Sequence, residues 1–288
     1  MKTWLGPVAD ESSLDGPRIR PKPLLGRARL AARWSKLALR FLRSGHFAFL
    51  GNVLRAQIAL LLFSLRDATL RRKNVTCNIC GWQGGTFYPN VCAGYYGQTV
   101  LCPGCDCLPR YRSFAAILRK YSRFFSSETC VIEVGPVRRF QEYCLLLKNG
   151  RNYITFDARR FAMEKGDITK MRYADNVADY FLCSEVLDYV EDDAGAFREV
   201  WRVLKPGGWF LIHVAIDQNA ATTCDYGGPD PQDDYHIRRY GRDFPAILSA
   251  FGFEVSTLSA ADCVGEREME RYGLSRRPLF IARKVVPH

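Results

Sequence analysis

Beyond its amino-terminal quarter, this sequence has no excess of charge of either sign. The chain of 288 residues holds 41 Lys or Arg against 30 Asp or Glu, a formal net charge of +11. Residues 1–75 carry 15 of the basic and 4 of the acidic residues, which is the whole surplus. A basic main body, the usual footprint of phosphate binding, is thereby excluded, and nucleic acid is not an expected partner. The surplus points instead to an anionic surface met by the amino-terminal segment. Met1–Pro23 also lack an early apolar core and a small-residue cleavage site, which predicts no secretory signal. No internal repeat is present, so stacked-repeat architectures are excluded.

Cysteine, by contrast, is plentiful, at 11 residues. Cys130, Cys144 and Cys183 lie among apolar neighbours and read as small buried hydrophobes. An odd count without a disulfide framework fits a reducing, cytoplasmic compartment. Four thiols form two pairs, Cys77-Asn78-Ile79-Cys80 and Cys102-Pro103-Gly104-Cys105, at the separation expected of a zinc ribbon. Two residues between thiolates let one tight turn present both sulfurs to a tetrahedral ion. Four thiolates close the coordination sphere, so the zinc would be structural. Cys92 and Cys107 are spare thiols nearby, either of which could replace a ligand. No strand–helix context of a redox pair surrounds either motif.

These features divide the chain into residues 1–26, expected to be disordered; 27–75, basic and apolar helices; 76–112, the four-cysteine ribbon; and 113–288, an α/β domain. Leu30, Trp34, Leu37 and Phe41 share one helical face ringed by Arg and Lys. Such a helix can lie on the inner, anionic face of a membrane. Phe47–Leu65 is apolar, but Asn52 and Arg55 on one face favour a packed or interfacial helix over a bilayer span.

From Cys130 onward, strand-like runs alternate with helical stretches: Val131–Gly135, Tyr153–Asp157, Ala178–Glu185 and, after Pro206-Gly207-Gly208, Trp209–His213. Alternation of this kind predicts a parallel sheet whose ligand lies beyond the carboxyl ends of the strands. The first strand is expected to end at Glu133-Val134-Gly135, where glycine permits close approach to the backbone. Asp157, about 24 residues on, suits the two hydroxyls of a ribose. Asp167 is placed to accept an adenine amino group, with Ile168 against the ring.

The run Leu182-Cys183-Ser184-Glu185-Val186-Leu187-Asp188-Tyr189-Val190, with Phe197–Leu204 and Lys205-Pro206-Gly207-Gly208-Trp209, resembles the type 11 pattern of class I S-adenosylmethionine-dependent methyltransferases. The resemblance covers about residues 130–285. It implies a doubly wound, seven-stranded Rossmann-like sheet preceded by the zinc ribbon and amino-terminal helices. It also implies S-adenosylmethionine as cofactor, held by Glu133, Val134, Gly135, Asp157, Ala158, Asp167, Ile168, Cys183 and Glu185. A narrower bacterial group, with a ribbon before such a domain, is similar at Cys102–Cys105, Arg110-Tyr111-Arg112, Asp167-Ile168-Thr169, His236–Phe244 and Glu270–Leu274. It implies a small-molecule or glycan-precursor substrate. The chain departs from the family in keeping a single glycine in Val134-Gly135-Pro136-Val137, and in carrying Asp188-Tyr189 where Glu-His is usual. Among candidate bases, His213, His236 and Asp217, His236 is preferred. Competing readings are ribosomal-RNA methylation, with Arg110, Arg112, Arg119, Lys120 and Arg123 touching phosphate, and a non-catalytic, membrane-tethered scaffold.

Overall fold

The computed structural model describes residues 17–21, 73–90, 98–158 and 161–285, with isolated helical positions between residues 32 and 65. The expectations for most of residues 1–72, lipid contact included, and for Cys92 lie outside the described residues. Among the described residues, no helix is long and apolar enough to cross a membrane. The chain forms two units, one of residues 14–116 and 264–275, the other of 1–13, 117–263 and 276–288.

The smaller unit is built from short pairings, because Gly, Cys and Pro interrupt every apolar run. Strands β1 (Val75–Thr76) and β2 (Gln83–Gly84) pair antiparallel, as do β3 (Tyr88–Pro89) and β4 (Thr99–Leu101). Helix α1 (Pro109–Tyr121) begins here, starting at a proline, which suits the first turn of a helix. Residues 17–21 are not without order: Ile19 is buried and its N–H donates to the Ile79 carbonyl at 3.1 Å.

Arg112, fully buried, ties this unit together. Its guanidinium donates to the carbonyls of Tyr272 (2.8 Å), Cys107 (2.7 Å), Val100 (2.9 Å) and Gly273 (2.8 Å), and it stacks 3.9 Å from the Phe87 ring centroid. A five-donor planar fork alone among side chains can satisfy so many carbonyls at once. Residues 264–275 therefore cluster with the cysteine module, although they lie within the stretch expected to be α/β.

The larger unit is a seven-stranded sheet. In chain order its strands are β5 (Val131–Val134), β6 (Tyr153–Asp157), β7 (Glu164–Lys165), β8 (Ala178–Ser184), β9 (Leu204–His213), β12 (Phe253–Leu258) and β13 (Leu279–Lys284), with a hairpin of β10 (Cys224–Asp230) and β11 (His236–Arg239) outside it. Helices α2 (Arg138–Leu147), α3 (Asp193–Val203), α4 (Phe244–Ala250) and α5 (Ala260–Cys263) fall in this unit, and α6 (Glu266–Tyr272) in the smaller one. Numbered within the sheet, the strands lie in the order 6-7-5-4-1-2-3. All neighbours are parallel except the last strand, β13, which runs against both β12 and β9. This is the doubly wound Rossmann-like methyltransferase sheet expected from sequence.

The central strands are apolar because both of their faces are covered. Phe181, Phe210, Phe156, Val200, Phe197 and Phe244 pack into one buried cluster. Winding reverses at β5, which lies between β6 and β8, so the carboxyl ends of these three strands diverge around a crevice. The strand expected at Trp209–His213 starts earlier: β9 runs continuously from Leu204 through Pro206-Gly207-Gly208, with an irregularity in its pairing to β8.

Candidate functional site

That crevice is a cavity of about 490 Å³, within the usual range for small-molecule sites. Its wall is assembled from strand ends: Val134 and Gly135 at the end of β5, Asp157 and Ala158 at the end of β6, and Glu185 and Val186 just after β8. Gly166–Thr169 close one side and Tyr189–Asp192 another. Seven of the nine residues expected to hold the cofactor thus line one space: Val134, Gly135, Asp157, Ala158, Asp167, Ile168 and Glu185.

Gly135 adopts φ +65°, and its N–H donates to the Phe156 carbonyl at 3.0 Å. A Cβ there would meet Val186 Cγ2 at 2.5 Å. One glycine therefore achieves both the left-handed backbone and the close approach, and the shortened turn suffices for it. Asp167 organises its own loop, its Oδ1 accepting from the Thr169 N–H and hydroxyl, each at 2.9 Å. Asp192 caps α3 by accepting from the Gly195 N–H at 2.7 Å.

Glu133 and Cys183 do not line the cavity. Glu133 is buried, and the Tyr153 hydroxyl donates to its carboxylate. Burial pushes its carboxyl up to about 8. In a strand, successive side chains face opposite ways, so Glu133 and Val134 cannot both face one crevice. Cys183 is fully buried, its thiol pushed well up by burial. His236 is also buried, and meets the cavity wall through Tyr189, whose ring centroid lies 4.7 Å from its own. His213 ends its strand as expected, but is buried with Nδ1 at 2.8 Å from Glu185 Oε1. Asp217 lies in the turn after β9, its Oδ1 accepting from the Asn219 N–H at 2.9 Å.

Glu191 and Asp192 were missed by sequence reasoning, though they directly follow the quoted run ending at Val190. With them, the lining holds five carboxylates (Asp157, Asp167, Glu185, Glu191, Asp192) and, among the described residues, neither Lys nor Arg. Such a wall repels a dinucleotide's pyrophosphate and favours a ligand carrying positive charge. Glu185 has φ +57°, rare for a residue that is neither Gly, Asn nor Asp, and its N–H donates to the His213 carbonyl at 2.8 Å. Backbone strain of this kind concentrates at working sites.

In the smaller unit, the four cysteines of the paired motifs are buried and converge. Cys77 and Cys105 sulfurs lie 3.7 Å apart, Cys80 and Cys102 sulfurs 3.6 Å apart. Zinc–sulfur bonds of about 2.3 Å in a tetrahedron require edges of about 3.8 Å, so the sulfurs stand at zinc-binding separations. The two turns repeat one another: the N–H of Gly81 donates to the Cys77 carbonyl and that of Asp106 to the Cys102 carbonyl, both at 2.8 Å. Both residues have positive φ. Cys107 is buried but does not complete the four-sulfur group.

Residues 135–212 match the family model described as a methyltransferase domain. A sterol 24-C-methyltransferase, erg6, of Aspergillus fumigatus is 30% identical over 92 residues, covering 27% of this chain and 24% of that protein. The chain thus spans about a quarter of the length of the curated relative it matches. Among solved structures, it is similar to an S-adenosylmethionine-dependent methyltransferase from Mesorhizobium loti, at 16% identity and TM-score 0.40, over 59% of this chain and 97% of that one. It is also similar to the 1,6-didemethyltoxoflavin-N1-methyltransferase of Burkholderia thailandensis, solved with 1,6-didemethyltoxoflavin and S-adenosylhomocysteine, at 16% identity and TM-score 0.39, over 55% of this chain and 72% of that one. The matched segment, residues 135–212, lies within the seven-stranded unit and runs from the end of β5 into β9.

Proposed function

We propose that this chain transfers a methyl group from S-adenosylmethionine to a small molecule, a glycan precursor being the expected class. The single observation that carries this reading is that, among the described residues, the charged groups of the wall at the topological switch point are all acidic. S-Adenosylmethionine brings a sulfonium and an ammonium to such a wall, whereas dinucleotides bring phosphates. In this reading Asp157 takes the ribose hydroxyls and Asp167 with Ile168 receives the purine; that all three line the one cavity supports it. Gly135 supplies the close backbone approach. When bound, the cofactor supplies an electrophilic methyl group, and the protein's share is to position the acceptor in line with it.

The four cysteines serve, in the same reading, as a structural zinc site, since a closed sphere leaves no position for substrate. The neutral charge of the chain beyond residue 75 supports a small acceptor over ribosomal RNA.

Calorimetry with S-adenosylhomocysteine tests the reading. Binding by the wild-type chain is expected, weakened roughly 10-fold or more in Asp157→Asn, because hydrogen bonds to a charged group contribute about 1.5–3 kcal/mol. NAD is expected not to bind. Absence of binding at millimolar ligand would favour the non-catalytic scaffold instead. With binding in hand, label transferred from S-adenosylmethionine into a fractionated extract identifies the acceptor class.

A further inference from the structure

Behind the cavity wall lies a polar cluster of which only Glu185 reaches the cavity. Glu185, Asp188 and His236 each present one donor atom, and these atoms all lie within 4.8 Å of one another. They come from three places: the end of β8, the turn of 3-10 helix at Leu187–Tyr189, and the first residue of β11. Asp188 is completely buried. One of its oxygens accepts from the Ala215 N–H at 3.3 Å, while the other, Oδ1, has no hydrogen-bond partner among the described residues. The Nδ1 of His236, itself buried, makes no hydrogen bond either, the Asp233 carboxylate standing 3.4 Å away. Buried polar atoms without partners are rare in folded proteins and ask for an explanation such as an ion.

The nearest cation does not supply one. Arg238 is engaged with the main-chain carbonyls of Leu187, Val190 and Glu191 and with the Asp225 carboxylate. Its charge is already shared with Asp193 and Asp225.

We infer that Glu185, Asp188 and His236 form a binding site for one divalent cation of the kind that accepts mixed oxygen and nitrogen donors, such as Mn²⁺. Two carboxylates and one imidazole are suitable donors for such an ion. With bonds of about 2.0–2.2 Å, donors around an ion lie about 3 Å apart when adjacent and about 4.3 Å apart when opposite. Side-chain rotations of about an ångström therefore bring these three atoms to bonding distance. The ion would also offset the charge of two carboxylates, Glu185 and Asp188, brought together beside one imidazole.

Glu185 joins this cluster to the cavity, because it also lines the wall. Three protein donors leave coordination positions open to an oxygen-bearing acceptor. That last role rests on the methyl-transfer reading, but uptake of the ion does not.

The test uses the full, zinc-loaded chain, titrated with Mn²⁺ while the electron paramagnetic resonance signal of free Mn²⁺ is followed. One ion per chain is expected to leave the free signal. Asp188→Asn, which keeps the shape of the neutral acid, and His236→Gln should each weaken uptake by at least ~10-fold with zinc content unchanged. No uptake by the wild-type chain at millimolar Mn²⁺ overturns the inference, and so does identical uptake in both variants. The wild-type titration decides the matter even where a variant does not fold. S-Adenosylhomocysteine binding is measured on the same sample. Binding without Mn²⁺ uptake removes the ion site alone, and Mn²⁺ uptake without binding removes the methyl-transfer reading alone.

Discussion

Replacing Gly135 by alanine probes a close approach in the cavity wall, where the glycine faces Val186. Two penalties act together. The residue sits at φ +65°, where an L side chain crowds its own carbonyl at a cost of roughly 1–2 kcal/mol. The new Cβ would also stand 2.5 Å from Val186 Cγ2, well inside van der Waals contact. Overpacking of this kind costs roughly 1–3 kcal/mol. Gly135→Ala should therefore destabilise the larger, seven-stranded unit by roughly 2–5 kcal/mol.

The two penalties separate in a double-mutant cycle. Val186→Ala removes the methyl that the new Cβ meets and leaves the backbone conformation as it is. Added to Gly135→Ala, it should return the steric part, roughly 1–3 kcal/mol, as a coupling energy, leaving the conformational part behind. Urea unfolding of the four proteins, with slopes compared as well as midpoints, gives each free energy. A Gly135→Ala chain within about 0.5 kcal/mol of wild type would refute the geometry. Strict additivity with Val186→Ala would leave the backbone penalty standing and refute the clash.

Two further outcomes follow from buried ionisable groups. Zinc analysis of the purified chain should find one ion held by Cys77, Cys80, Cys102 and Cys105; since such sites contribute about 10–16 kcal/mol of apparent binding free energy, chelator stripping or Cys102→Ser should unfold the cysteine module, and a stripped module that keeps its structure removes the assignment. Glu133 titrates near 8 when folded and near 4.3 when unfolded, so between these values the folded state alone keeps the proton. Stability from this group is complete below about pH 4.3, falls as pH rises, and is gone above about pH 8. Glu133→Gln cannot titrate, so wild type should lose about 2–3 kcal/mol relative to the variant between pH 6 and 8, and a constant difference in urea melts would contradict the burial of that carboxyl.

What could be read from the sequence, and what could not, divides along chain distance. The strands Val131–Val134, Tyr153–Asp157 and Ala178–Ser184 are short runs whose apolar character follows from burial on both faces, so their order announced the sheet. Asp157 is the last residue of its strand and Asp167 lies two residues past β7, and a residue at a strand end has few other places to point. Glu133 lies one residue earlier, inside its strand, where the alternation of side chains decides the outcome. Its partner Tyr153 begins the neighbouring strand, and sequence alone does not say which face of that pair is closed. The same distance hid the cluster of Glu185, Asp188 and His236, because the hairpin that delivers His236 starts some 40 residues after Asp188. It hid the fate of Val264–Ser275 as well. That segment reads as one more helix of an α/β chain until the Arg112 guanidinium is seen to bond the carbonyls of Tyr272 and Gly273. An arginine in Arg110-Tyr111-Arg112 looks like a phosphate ligand in a sequence; with every exposed surface withdrawn, it can serve only as a tie between distant strands of backbone. The ribosomal-RNA reading therefore loses one of its five phosphate contacts to the physics of burial.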